Sequence, residues 1–413
     1  MMIARTWLAT AALALPLAAP VGAAAQTLAP APLKTLSLSG LDLRVGSDPY
    51  SVPPAAEFEQ VGIGGALSGT DRVALPGGED PGCAARAGNL PRLPVATWFC
   101  WDADAQGDPA DPSKLPWVPQ AMASSGEAQL DGTPIGSDRR ALITSWSWTN
   151  QNTDYRYNSV MLSVIDLDSR SYRNVLPVWV DSRGDLRRVY GHGGGLAWYG
   201  PYLFMTSSKS WNGYSGPSST HSTIRVFDTR KIYRKTGSGG GDFKYVIPEV
   251  RHYITPFQLD YVSLDRNSSG GASLIAGNYK KSHDGGTFAG TKLIRYRFQP
   301  GASADYRLYN APVQAWESTL PGDPADAISD VQGVQADGDT LHLNMSAGRS
   351  PGADPRRRFA TVNVADATIR SHRNWAYRPE DLSLWYATGE LWGQTEGEGE
   401  RVVFSVKATD ANP

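Results

Sequence analysis

Carboxyl, imidazole, phenol and amine side chains recur in this chain at positions that could share one task. Glu380, Asp381, Glu396 and Asp260 are carboxyl groups suited to general acid and base work. His192, followed by three glycines, can exchange a proton near neutral pH. Tyr279 and Tyr214 offer phenolic protons, while Lys209, Lys280 and Arg349 offer positive charge. Trp146, Trp148 and Trp211 bring flat apolar faces, and Gln120 and Gln332 bring amides. Rings for C–H faces and donors for hydroxyls are what a sugar needs from its site. The basic members favour an acidic glycan.

Two reactions fit this set. A glycoside hydrolase needs two carboxyl groups flanking the scissile bond, and Glu380, Asp381, Glu396 and Asp260 are the candidates. A polysaccharide lyase needs a uronate neutralised, a base and an acid. Lys209, Lys280 or Arg349 would neutralise, His192 would be the base, and Tyr279 or Tyr214 the acid. The basic loops tilt the reading slightly toward the lyase. A non-catalytic glycan-binding or cell-envelope scaffold would use the same aromatic residues without a titrating pair.

Residues so far apart in sequence need a repeating frame to meet. Short apolar strand seeds follow Gln120, His192, Asp260, Gln332 and Glu380. Counted from Met122, Leu196, Leu264, Val334 and Leu382, the seeds are 74, 68, 70 and 48 residues apart. In most units the seed is followed by a tight turn, a returning strand, a long loop and a further strand, as in Leu196–Tyr199, Gly200-Pro201 and Tyr202–Thr206. A strand-built unit that recurs at this interval is the signature of a β-propeller blade. The expected fold is therefore all-β: a single propeller of five blades over residues 119–413, behind an irregular N-terminal segment. In such a blade the start of the first strand and the loop after the second share one face. The candidate residues then gather at one axial mouth.

The strings Trp117-Val-Pro-Gln120, His192-Gly-Gly-Gly-Leu-Ala-Trp-Tyr-Gly200, Thr223-Ile-Arg-Val-Phe-Asp228, Tyr261-Val-Ser-Leu-Asp-Arg266 and Pro379-Glu-Asp-Leu-Ser383 resemble a group of secreted bacterial propeller-like proteins. The similarity covers about residues 115–407. It implies export and fold, and no particular chemistry.

Residues 1–25 read as an export signal: Arg5 is the positive end, Trp7 to Val21 the apolar run, and Ala23 to Ala25 the small-residue cleavage site. The mature chain is then expected to be secreted or periplasmic, without a membrane span, and a monomer. Residues 26–56 read as a linker or edge strand, and 57–118 as an irregular segment wrapped on the first blade. With 39 Lys and Arg against 41 Asp and Glu, nothing points to nucleic acid. Cys83 and Cys100, the only cysteines, are expected to form a disulfide in an oxidising compartment. Asp102, Asp104 and Gln106 match the first half of a calcium loop, so a structural calcium is the one ion considered; no other cofactor is expected. Gly348-Arg-Ser-Pro-Gly352 imitates a hydrolase nucleophile elbow, but Pro351 lacks the N–H that an oxyanion hole requires.

Overall fold

The computed structural model describes residues 26–27, 33–46, 53, 56–69, 71–106, 117–148, 159–181, 183–207, 211–212, 216–217, 222–237, 244–280, 290–301, 305–318, 328–346, 357–366, 368–372 and 374–411. Successive antiparallel meanders make up most of it. The first comprises Trp117–Ser124, Ala141–Trp148, Val160–Asp166 and Ser171–Val180. The second comprises Gly195–Tyr199, Tyr202–Ser207, Thr223–Asp228 and Tyr245–Ile254. Tyr261–Asp265, Ser273–Gly277, Lys292–Arg297 and Gln314–Ser318 form the third. Val331–Asp337, Thr340–Met345, Arg358–Asn363 and Thr368–His372 form the fourth. The last has Pro379–Trp385, Glu390–Thr395 and Val402–Lys407, and borrows Val95–Cys100 from the N-terminal side as its fourth strand.

The innermost strand of each meander packs on the next, and Pro379–Trp385 returns to Trp117–Ser124, so the ring is closed about one axis. This is an all-β propeller. The first two meanders share one 13-stranded sheet, because Ser171–Val180 pairs in parallel with Tyr245–Ile254. Hydrogen bonding therefore does not cut the ring into five separate blades, and that count stays a reading of the repeats.

Inner strands are buried almost throughout, and the polar residues among them, such as Gln335, Asp381 and Ser383, are buried with hydrogen bonds to neighbouring meanders. Their close approach also explains two glycines. A Cβ on Gly195 would sit 2.2 Å from the Val262 nitrogen, and one on Gly333 would sit 2.5 Å from the Asp381 Cα. The glycines after His192 thus serve strand packing. Tight turns need glycine for a different reason: Gly200 (φ 57°) and Gly338 (φ 64°) adopt left-handed backbone.

The N-terminal residues are used as strands. Gln26–Thr27 edges the fourth meander and Leu33–Thr35 edges the third. The segment before the first meander was expected on the first blade alone, and here the structure differs. Arg72–Val73 does pair with Ser171 and Tyr172 of the first meander, but Val95–Cys100 pairs with Val402–Lys407 of the last. The disulfide between Cys83 and Cys100 is formed and buried, with Cα atoms 5.6 Å apart. Among the described residues, no helix is long and apolar enough to cross a membrane.

Candidate functional site

The starts of the inner strands meet at one mouth, and carboxyl groups dominate its described part. A register shift between Pro379 and Leu382 sets Glu380 and Asp381 at the opening of their strand. The Asn344 side-chain amide holds the Glu380 carbonyl from the neighbouring meander. Glu380 itself is only 2% exposed. Its Oε1 accepts from Gln332 Nε2 at 3.3 Å, and its carboxyl is hydrogen-bonded to that of Glu396. Burial first, then the charges of Glu396 and Asp381, push the Glu380 pKa well above the ordinary carboxyl range. Two carboxyl groups in direct contact cannot both ionise easily, so the pair holds a proton more tightly than either would alone. Glu396, half-buried in the loop after the second strand, is the partner able to face solvent.

Tyr279 completes this edge. Its hydroxyl donates to Asp330 Oδ1 at 3.3 Å; burial and then Asp330 raise its pKa, with smaller contributions from Glu380 and Glu396. Asp330 is held with φ 55°, and Ser329 Oγ donates to its Oδ2 at 3.0 Å. Asp260 is spent on its own loop, accepting from Gln258 Nε2 and from the Tyr279 N–H, each at 2.7 Å. His192 is half-buried on the approach to Gly195–Tyr199, beside the Gly194–Asp260 backbone contact. Gln120 is buried, its amide donating to the Pro119 carbonyl at 3.0 Å.

Deeper on the axis the groups are structural. Asp381 Oδ2 accepts from Leu196 N at 3.1 Å and Met122 N at 3.4 Å, so one carboxyl serves two other meanders. Glu127 lies beyond it: Oε1 accepts from Leu264 N at 3.0 Å, and Oε2 from Ser383 Oγ at 3.1 Å. Burial raises the Glu127 pKa to about 8 despite these bonds. Side chains thus occupy the axis below the mouth.

Trp146 lies away from the mouth, whereas Lys280 adjoins Tyr279 on its edge. Trp146 is core and cannot stack on a ligand: it is 1% exposed, its Nε1 donates to Ser163 Oγ at 2.9 Å, and it packs edge-on to Trp101. Trp148 is half-buried, edge-on to Trp117 at 5.1 Å. Lys280 is exposed, with its carbonyl accepting from the Asp330 N–H. Lys209, Tyr214 and Arg349 fall outside the described residues, and Trp211 is described only by its backbone pairing with Pro217.

The first half of the expected calcium loop has protein partners, and residues 107–113 fall outside the described residues. Arg72 clamps Asp102 at 2.7 and 2.6 Å, and the Tyr172 hydroxyl donates to the same carboxylate at 2.8 Å. Gln106 is buried, donating to the Arg401 carbonyl and accepting from its N–H. A guanidinium already occupies the place a cation would take, and Asp104, 89% exposed, joins the same arginine. No group of three or more His, Cys, Asp or Glu among the described residues is arranged to hold a metal.

Two axial residues escaped the sequence reading. Glu127 had a signal: Ser124-Ser-Gly-Glu127 fits a capping box, and Ser124 Oγ accepts the Glu127 N–H at 3.1 Å. Asp330 had none, because its left-handed backbone is imposed by the fold.

No family model matches this sequence, and no curated protein does. Solved structures similar in outline include the β-propeller domain of Myceliophteria_thermophila Cps50 (Swd1), at 10% identity over 70% of this chain and 96% of that one, TM-score 0.32. An ACO/RPE65 chimera matches at 10% identity over 71% of this chain and 60% of that one, TM-score 0.30. Pseudomonas fluorescens PhoX, solved with the transition state analogue vanadate, matches at 9% identity over 91% and 99%, TM-score 0.33. None lends this chain any chemistry.

Proposed function

We propose that this is an exported carbohydrate-active enzyme of five blades whose axial mouth hydrolyses a neutral or amino-sugar glycan, with Glu380 as general acid and half-exposed Glu396 as the carboxylate that activates water. One observation carries the reading: the buried Glu380 carboxyl, its pKa pushed up by burial and then by Glu396, lies in contact with half-exposed Glu396, where several meanders converge. A proton donor with a raised pKa is what leaving-group protonation requires. Charge decides between the two expected reactions. Asp260, Asp330 and Glu396 would repel a uronate, which favours hydrolysis over the lyase and weakens the case for an acidic substrate. Export rests on Arg5, the apolar run and Ala23 to Ala25.

The non-catalytic scaffold remains the second reading, favoured by the commitment of Asp381 and Glu127 to backbone amides. The test offers the mature protein a panel of neutral, amino-sugar and uronate polysaccharides. Reducing ends without ultraviolet-absorbing products, lost in Glu380→Gln, support hydrolysis. Unsaturated products overturn it in favour of the lyase. Binding with no product, unchanged in Glu380→Gln, leaves the scaffold.

A further inference from the structure

The opposite face of the ring carries a second recognition surface. Loops between first and second strands, and between third and fourth, lie there, away from the carboxyl mouth. Two cavities open side by side at the third meander. One, of about 380 Å³, is lined by Tyr199, Gly270, Arg297, Phe298, Tyr306 and Tyr309. The other, of about 460 Å³, is lined by Val45, Tyr253, Arg307, Asn310 and again Tyr309. Tyr309 and Gln299 are common to both, so the cavities form one groove with a tyrosine at its middle. Tyr309 is 42% exposed, one of few large apolar side chains left so open among the described residues.

Three features show that this groove is built. Backbone bonds fix its floor: Tyr309 N donates to the Arg297 carbonyl, and Gln299 N to the Arg307 carbonyl, each at 2.8 Å. Tyr306 is held with φ 44°, against a glycine, Gly200, whose Cβ would lie 2.4 Å from its ring. Such backbone persists only where its surroundings enforce it, and it clusters at binding sites. Third, Arg297 is half-buried and donates one Nη2 bond to Ser269 O at 2.7 Å, while its buried Nε has no hydrogen-bond partner. The Ser269 bond fixes the guanidinium at the edge of the groove, where a ligand oxygen could meet it.

We infer that this groove binds an extended oligosaccharide, with one sugar ring stacked on Tyr309 and its hydroxyls taken by Arg297, Gln299 and Asn310. Two cavities in line, divided by an aromatic face and edged by guanidinium and amide donors, suit successive sugar units. The site is non-catalytic, since the described residues lining it include no carboxyl group. Its sugar class rests on the function proposed above, whereas its location does not.

The experiment measures binding of cello-, xylo-, manno- and chito-hexaose to the mature protein by ligand-observed NMR. Wild type, Tyr309→Ala, Arg297→Gln and Glu380→Gln are compared. Saturation transfer to at least one hexaose, weakened about tenfold or more in Tyr309→Ala and also reduced in Arg297→Gln, is the expected result. Glu380→Gln should keep that binding even where it abolishes hydrolysis, which separates failure at the groove from failure at the mouth. Unfolding curves for Tyr309→Ala matching wild type establish that a loss reflects the groove. Binding indifferent to Tyr309, or no binding of any hexaose, overturns the inference.

Discussion

At the residue scale the protein turns on where it keeps carboxyl groups out of water. Glu380 and Glu396 press on each other, so hydrolysis should decline as pH rises through the raised Glu380 pKa and its proton is lost. Glu396→Gln removes a charge that holds this pKa up. Its alkaline limb should therefore move to lower pH, with kcat retained in part, while Glu380→Gln should lose about 100-fold or more in kcat at every pH. A pH–rate profile for the three proteins checks both, and an alkaline limb unmoved in Glu396→Gln defeats the pairing. Glu127 acts on stability instead. Its folded pKa, about 8, lies above the ordinary value of 4.5, so the folded state keeps a proton that the unfolded state has released. The benefit of this protonated form is complete below pH 4.5 and is lost as pH climbs toward 8. Glu127→Gln can still accept from Leu264 N and meet Ser383, and it has no proton to lose. Urea unfolding between pH 5 and pH 8 should therefore show a flatter dependence in Glu127→Gln than in wild type. Equal slopes would show that Glu127 is already ionised in the fold.

At the element scale, the inner strands are the part that had to be made close, and glycine is how the chain does it. Gly195→Ala places a methyl group 2.2 Å from the Val262 nitrogen, where only backbone could yield, and Gly333→Ala does the same at 2.5 Å from the Asp381 Cα. Overpacking of this kind costs about 1–3 kcal/mol and usually more against main chain than against side chain. Gly88→Ala, with nothing within 4 Å, is the matched control and should be near neutral. Comparable unfolding midpoints for all three would mean the inner strands can part freely. These starts were legible in the sequence because each pairs a polar or glycine residue with an apolar seed and a turn. Fourth strands were not: Ser171–Val180 and Tyr245–Ile254 pair with each other in parallel, and no local pattern announces a partner from another repeat. Trp146 misled for a related reason. It shares one side of its strand with Trp148, and sequence cannot tell which of the two is buried against Trp101 and which packs half-exposed on Trp117. The Asp102 loop looked like a cation site because its electrostatic need is real, but Arg72 meets it from a segment with no sequence link.

At the scale of the whole molecule, a ring has to be closed, and this chain closes it with residues from both ends. Val95–Cys100 lies opposite Val402–Lys407, with Val402 facing Cys100 and Phe404 facing Trp98. The disulfide then ties the end of that closing strand to the turn at Asp80–Cys83, where the Asp80 side chain caps the Cys83 N–H. Linking residues 17 apart contributes about 3 kcal/mol by limiting the unfolded chain. The location matters as much as the amount, because the seam joins first to last and has no covalent continuity except through the whole ring. Once Val95–Cys100 lifts away, Val402–Lys407 becomes an open edge and Trp101 loses its wall against Trp146 and Tyr172. The double variant Cys83→Ser, Cys100→Ser should therefore unfold about 3 kcal/mol more easily and should open at the seam first. Native-state hydrogen exchange reads this directly. Amides of Val95–Cys100 and Val402–Lys407 should lose protection together, while those of Tyr202–Ser207 and Ser273–Gly277 keep theirs. Uniform loss across all four strands would mean that the ring opens everywhere at once, and that the N-terminal strand is a passenger on a propeller already closed without it.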